Sequence, residues 1–274
     1  MEWMLLLLIG LVAGTIGAMV GLGGGVIIVP ALLYFGSEGI ILQEISPQTA
    51  VGTSLVVMIF TGLSSTLAFM KHRTVDYKSG FIFFVGSGPG SIIGAWVNRF
   101  LDVDAFYLYF GVFIIFIASL LFIRTKLKPL TLNREKAMLR TFTDKNNMTF
   151  EYGYRPRAAI MISMFVGFLS GLFGVGGGSL LVPVMILLFL FPPHVATATS
   201  MFMVLLSAVV SSGAHITLGN VHWLYTLALF PGAWFGAKLG AYMNTKLESN
   251  VLVFLLRIIL MIIGGRMVYQ GLIG

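Results

Sequence analysis

The sequence predicts an all-α polytopic membrane protein, with eight to ten transmembrane or re-entrant helices in two inverted-topology repeats. Three observations lead there. The chain is 58% hydrophobic and only 10% charged, with a mean hydropathy of +0.97, where a soluble domain carries about 25% charged residues. A glycine-rich block inside apolar sequence, GLGGGVIIVP from Gly21, returns as GVGGGSLLVP from Gly174, 153 residues later. The one long polar stretch lies between the two copies.

The elements follow in order. Apolar segments lie at roughly 3–22, 25–36, 48–70, 79–98 and 105–124, then at 157–175, 178–191, 195–217, 221–243 and 250–272. Each reads as a helix, because hydrocarbon cannot satisfy an open strand edge. Three consecutive glycines interrupt a helix, so Gly23–Gly25 and Gly176–Gly178 mark breaks within apolar sequence. The segments after the breaks hold 12 to 14 residues, where spanning needs about 20. Whether they span or re-enter stays open on sequence grounds.

The repeat extends past the glycines. TAVGTSLV from Thr49 resembles VATATSMF from Val195, and PGSIIGA from Pro89 resembles PGAWFGA from Pro231. The spacing drifts from 153 to 146 to 142 residues, as though loops shrink between conserved helices. The domains are therefore read as a first repeat at 1–124, a linker at 125–156 and a second repeat at 157–274.

Between Arg124 and Arg157 stand nine Lys or Arg against three acids, a net +6 of the chain's +7. The positive-inside rule places this linker in the cytoplasm. The 71–78, His194 and Lys246 loops then fall inside, and the 38–44, 102–104 and 219–220 loops outside. Five segments per half put both termini outside and invert the second copy. That is the geometry of alternating access around a midplane site.

The candidate site begins with Gly23, Gly24 and Gly25 and their counterparts Gly176, Gly177 and Gly178. A broken helix exposes backbone N–H groups at the positive end of a dipole, and glycine lets an anion approach them. Ser179 adds a hydroxyl, as do the pairs Thr53–Ser54 and Thr199–Ser200 near the starts of long helices. The same glycines also suit close helix packing, and the same hydroxyls suit interhelical contacts. Both readings stand at this stage.

Other chemistry is poorly supported. All ten acids lie in loops or at termini, which disfavours a cation site and a carboxylate proton relay. Any pH dependence then falls to His215, His222 or the substrate itself. Arg257 fits snorkelling or headgroup contact better than substrate binding, and Lys238 lies near the inner end of the preceding helix. No cysteine is present, and four scattered histidines make no metal cluster. GLGGG lacks the strand and acidic partner of a dinucleotide fingerprint. The linker lacks the aromatic interleaving of a nucleic-acid site. No cofactor and no metal are expected.

The duplicated glycine signature reads AGTIGAMVGLGGGVIIVP from Ala13 and SGLFGVGGGSLLVP from Ser170. With the hydroxyl-rich helix and the PGxxxGA block that follow, it resembles the sulfite exporter TauE/SafE family, also called the toluenesulfonate-uptake permease group. The resemblance covers nearly the whole chain except the linker. It implies transport of small sulfur-containing or organic anions across a cytoplasmic membrane, leaving the anion and the direction open. The expected partners are thus a small anionic substrate and the lipid bilayer. A passive anion channel could use the same donors. An enzyme would need a nucleophile–base pair or metal cluster that does not appear.

Overall fold

A computed structural model of the chain describes residues 2–37, 43–123, 137–143, 149–246 and 250–273. Glu38, Glu248 and the stretches 124–136 and 144–148 of the basic linker lie outside them, so what was read from those positions is not addressed. The described chain forms α1 (Glu2–Val20), α2 (Gly25–Ser37), α3 (Pro47–Lys71), α4 (Tyr77–Asn98) and α5 (Val103–Ile123). A hairpin follows, β1 (Met138–Thr143) and β2 (Thr149–Tyr154), then α6 (Pro156–Phe173) and α7 (Gly178–Leu188). The chain continues as α8 (Pro193–Thr217), α9 (Trp223–Lys246) and α10 (Asn250–Ile273).

All ten expected helices are present, and the chain is a helical membrane protein. Six of the described helices are long and apolar enough to cross a bilayer. Helices α9 and α10 hold 24 residues each, about 36 Å of helix. Helices α2 and α7 hold 13 and 11 residues, only about 20 and 16 Å, so neither crosses the ~30 Å hydrocarbon core. The hairpin is a feature the polar linker did not reveal.

Local chemistry sets the helix starts. Ser46 caps α3, its side-chain oxygen accepting from Thr49 N at 3.2 Å, and Pro47 occupies the first turn. Asp76 caps α4 by accepting from Ser79 N at 3.2 Å. At the other terminus of α6, Gly174 takes φ +68° and its N–H returns to Ser170 O, a left-handed stop that glycine adopts without a Cβ clash.

Glycine stripes set the helix pairing. A Cβ at Gly86, Gly90 or Gly94 of α4 would strike the carbonyl oxygen of Ile160, Met164 or Phe168 of α6. A Cβ at Gly232, Gly236 or Gly240 of α9 would likewise strike that of Leu7, Leu11 or Thr15 of α1. Small residues let membrane helices approach backbone to backbone. Both contact series ascend together, so α4 runs parallel to α6 and α9 parallel to α1. Helices α3 and α8 run antiparallel, Gly52 lying against His215 and Gly62 against Leu205.

These contacts correct one alignment. Gly86, Gly90 and Gly94 play the parts of Gly232, Gly236 and Gly240, an offset of 146 residues rather than the 142 read from Pro89 and Pro231. A stripe of glycines at every fourth position matches itself when slid by one helical turn, which misleads a sequence comparison.

Substitution in these stripes should part the helices. Gly94→Val and Gly240→Val are each expected to destabilise the protein by about 1–3 kcal/mol. Gly213→Ala, where an added Cβ meets nothing within 4 Å, should be neutral. Unfolding midpoints in detergent measure the difference.

Candidate functional site

The two glycine loops meet in the interior. Gly21, Gly23 and Gly24 take φ of +83°, +86° and +94°, and Gly174 and Gly176 take +68° and +76°. These values turn the chain sharply at the ends of α1 and α6. Gly24 folds back so that a Cβ there would lie 2.9 Å from Ala13 O, about two turns before the end of α1. Gly177 lies against Val166 in the same way. Each short helix therefore re-enters beside the helix before it.

Contact between the loops is reciprocal. A Cβ at Gly25 would meet Gly174 O, and one at Gly178 would meet Gly21 O. Ser54 donates its hydroxyl to Gly174 O at 3.0 Å, and Ser200 donates to Gly21 O at 2.9 Å. Asn98 donates to Leu172 O at 2.7 Å, and Asn244 donates to Met19 O at 2.6 Å. Every pair maps onto its partner, with an offset of 153 residues from α1 through the glycine loop to α6 and its loop, and of 146 residues from α3 and α4 to α8 and α9.

The structure thus brings Gly23, Gly24, Gly25, Gly176, Gly177, Gly178, Ser54 and Ser200 together. Ser179 stays on its own loop, its hydroxyl on Gly176 O at 3.3 Å. Thr53 and Thr199 point elsewhere. Thr53 Oγ1 accepts from His222 N at 3.0 Å, just before α9, and Thr199 Oγ1 accepts from Asp76 N at 3.0 Å, just before α4. The four hydroxyls hold loops and helix starts in place.

What remains for a ligand is backbone. Ile27 and Ile28 donate to Gly24 O, and Leu181 donates to Gly177 O. Among the described residues, the amides of Gly25, Val26, Gly178 and Ser179 have no backbone acceptor, as expected in the first turn of a helix. Between the loops sits Met58. A Cβ at Gly23 or Gly176 would strike its methyl, and one at Gly25 would lie 2.8 Å from its sulfur. Val204, the residue that corresponds to Met58 in α8, closes on Gly23 at 3.0 Å. Sequence reasoning missed Met58, since one methionine among 15 carries no periodic signal.

The hairpin closes one end. Arg140 Nη2 donates to Asp76 Oδ1 at 2.7 Å, and Tyr152 donates to Asp76 Oδ2 at 3.0 Å. Ser79 donates to the same Oδ2 at 2.6 Å, and Tyr154 donates to Ser79 Oγ at 2.9 Å. Burial and the Asp76 carboxylate push the Tyr152 phenol well above its usual range, so it stays a donor at physiological pH. Asp76 is a loop residue, as expected, but it is the one buried carboxylate among the described residues. The helix start does not explain that burial; the hairpin does. At the corresponding position near α9 stands His222, whose Nδ1 accepts from Tyr225 N at 3.3 Å.

Beside the hairpin, a cavity of about 670 Å³ opens between the ends of α3, α8 and α9. Lys71, His72, Arg73 and His194 line it. The 71–78 loop, the hairpin, His194 and the end of α9 therefore gather at one end.

Asp76→Ala should cost about 2–4 kcal/mol, from a lost cap and two stranded hydroxyls. Asp76→Asn should cost less and leave transport intact, because among the described residues no carboxylate approaches the glycine loops. Unfolding midpoints and proteolytic release of the hairpin check the first, and flux the second.

Comparison with known proteins bears on the whole chain. The family described as sulfite exporter TauE/SafE matches residues 6–267. The "Probable membrane transporter protein YunE" of Bacillus subtilis is 50% identical over 272 residues, covering 99% of both chains. A "Probable membrane transporter protein" of Methanocaldococcus jannaschii is 26% identical over 95% of this chain and 93% of its own. Another of Bacillus subtilis, YdhB, is 29% identical over 91% of each chain. No solved structure matches. Two glycine loops in a helical membrane fold, matched along almost the entire length, place this chain in the sulfite exporter TauE/SafE family.

Proposed function

We propose that this chain is a secondary carrier that moves a small anion, sulfur-containing or organic, across the cell membrane by alternating access. The observation that carries this reading is the reciprocal meeting of two broken-helix loops whose first-turn amides lack backbone acceptors. Two positive helix ends facing one another favour an anion, and neither loop supplies a carboxylate for a cation.

The halves 1–124 and 157–274 act as inverted repeats. The opposed directions of the corresponding helices α3 and α8 support this, as do the exchanged pairs α1–α9 and α4–α6. The linker 125–156 is cytoplasmic, because the end that holds the hairpin also collects Lys71, Arg73, Lys78, Arg140, Arg155 and Arg157. In the mechanism, Met58 seals the loops from one another. Tilting of the α1–α9 pair against the α4–α6 pair, each built from both repeats, would withdraw its methyl and bare the amides to one side at a time. Ser54 and Ser200 hold each loop to the opposite half, so the two loops move as a pair. The basic cavity concentrates anions at the inner mouth.

Met58→Ala should loosen the seal and raise counterflow of labelled sulfite in proteoliposomes by several-fold, about 1 kcal/mol of barrier. Gly177→Val, placed where φ is −60° and a Met203 methyl can yield, should fold and yet lose at least about tenfold in flux. Full activity in that folded variant sinks the site assignment. Flux that never saturates and shows no counterflow would indicate a channel. Since the chain has no cysteine, Thr143→Cys should react with an impermeant thiol reagent only after the cells are opened.

A further inference from the structure

A second groove, of about 440 Å³, runs between α3 and α9, and Leu67, Lys71, Lys238 and Tyr242 along it are exposed on the outer face of the helices. Its deep end is closed where Ser64 donates to Trp234 O at 2.8 Å. Leu67, which is 46% exposed, and the ring of Trp234 form apolar walls. Lys71 and His72 stand at the mouth, and Lys238 and Tyr242 line the side formed by α9.

The cations are the feature to explain. Lys238 lies two turns before the end of α9, on a face shared with Phe235 (63% exposed) and Leu239 (49% exposed). Such a face meets lipid tails, where an ammonium is costly unless it reaches the interface or a counter-charge reaches it. Among the described residues, neither Lys71 nor Lys238 has a carboxylate partner. The fold itself does not require them. At the 146-residue offset, Thr217, Leu218 and Ile92 correspond to Lys71, His72 and Lys238, while the aromatic Trp96 corresponds to Tyr242. The other half builds the same helix packing with no cation at those three positions.

We propose that this groove binds an anionic phospholipid of the inner leaflet. Its phosphate lies between Lys71, His72 and Lys238, and an acyl chain runs along Leu67 and Trp234. Charge complementarity selects the headgroup, because basic pockets between membrane helices on the cytoplasmic side hold anionic lipids. The outward-facing lining and apolar walls select an amphiphile over a free anion. The site is separate from the glycine loops and stands or falls independently of what the carrier transports.

Trp234 makes the proposal measurable. The other tryptophans, Trp3, Trp96 and Trp223, sit toward the opposite end of the helices. Intact protein is reconstituted in phosphatidylcholine nanodiscs containing a small fraction of either chain-brominated phosphatidylglycerol or chain-brominated phosphatidylcholine. Tryptophan quenching should be greater with the anionic lipid, and Trp234→Phe should remove that excess. Lys71→Gln and Lys238→Gln should each lower the enrichment about fivefold, while Lys71→Arg and Lys238→Arg retain it. Equal quenching by the two lipids overturns the proposal. So does an excess that persists in Lys71→Gln/Lys238→Gln protein of unchanged helicity. Loss of the excess on adding millimolar inorganic phosphate assigns the cations to a soluble anion, and that too overturns it.

Discussion

The contact on which the architecture rests is the meeting of two glycine loops through their backbones. Gly25 lies on Gly174 O and Gly178 on Gly21 O in direct backbone contact, with the Met58 side chain packed against both loops. Buried carbonyls need donors, and Ser54 and Ser200 supply them from the opposite half. Each half thus completes hydrogen bonds that the other cannot make alone. The first-turn amides of α2 and α7 stay open in the same place. Close backbone approach and first-turn amides without a backbone acceptor are consequences of the same glycines. The packing reading that the sequence offered is therefore compatible with the proposed site.

Around that centre, packing is dominated by small residues. Hydrophobic burial offers little drive between helices in lipid, so close van der Waals approach must supply it. The stripes on α4 and α9 meet α6 and α1 in parallel pairs, each pair joining one helix from each half. The asparagines Asn98 and Asn244 then tie the ends of α4 and α9 to carbonyls in the last turns of α6 and α1. A rigid pair built from both halves is a body that can tilt as a unit.

Departures from reciprocity are where the halves specialise. Met58 faces Val204, Asp76 corresponds to His222, and Lys71 and Lys238 correspond to Thr217 and Ile92. Asp76 holds a charged hairpin over one end, with Tyr152 and Tyr154 packed on Phe189, Phe191 and Phe83. At the other end the His222 ring lies tilted against Tyr225, with ring centroids 3.9 Å apart. The two mouths therefore differ in charge and in cover, though the loops between them are nearly alike.

Much was legible in the sequence by itself. Hydropathy and length marked eight to ten helices, because the bilayer imposes a minimum apolar run that the sequence itself reveals, and left the two short segments open. Triple glycine determined where α1 and α6 break, since no other residue takes φ of +86° or +94° so readily. Duplication of Thr53–Ser54 as Thr199–Ser200 marked residues that do converge on equivalent places. Only tertiary structure decided what each hydroxyl does, because a serine near a helix start can face a ligand, a loop or a neighbour. It also decided the register of the α4 and α9 stripes, which repeat every turn and so cannot fix their own alignment. The place of Met58 between the loops, the burial of Asp76 and the hairpin that covers it depend on contacts between residues far apart in the chain, such as Met58 with Gly176 and Asp76 with Arg140. No local pattern encodes such contacts, since each partner alone reads as an ordinary methionine, helix cap or polar linker.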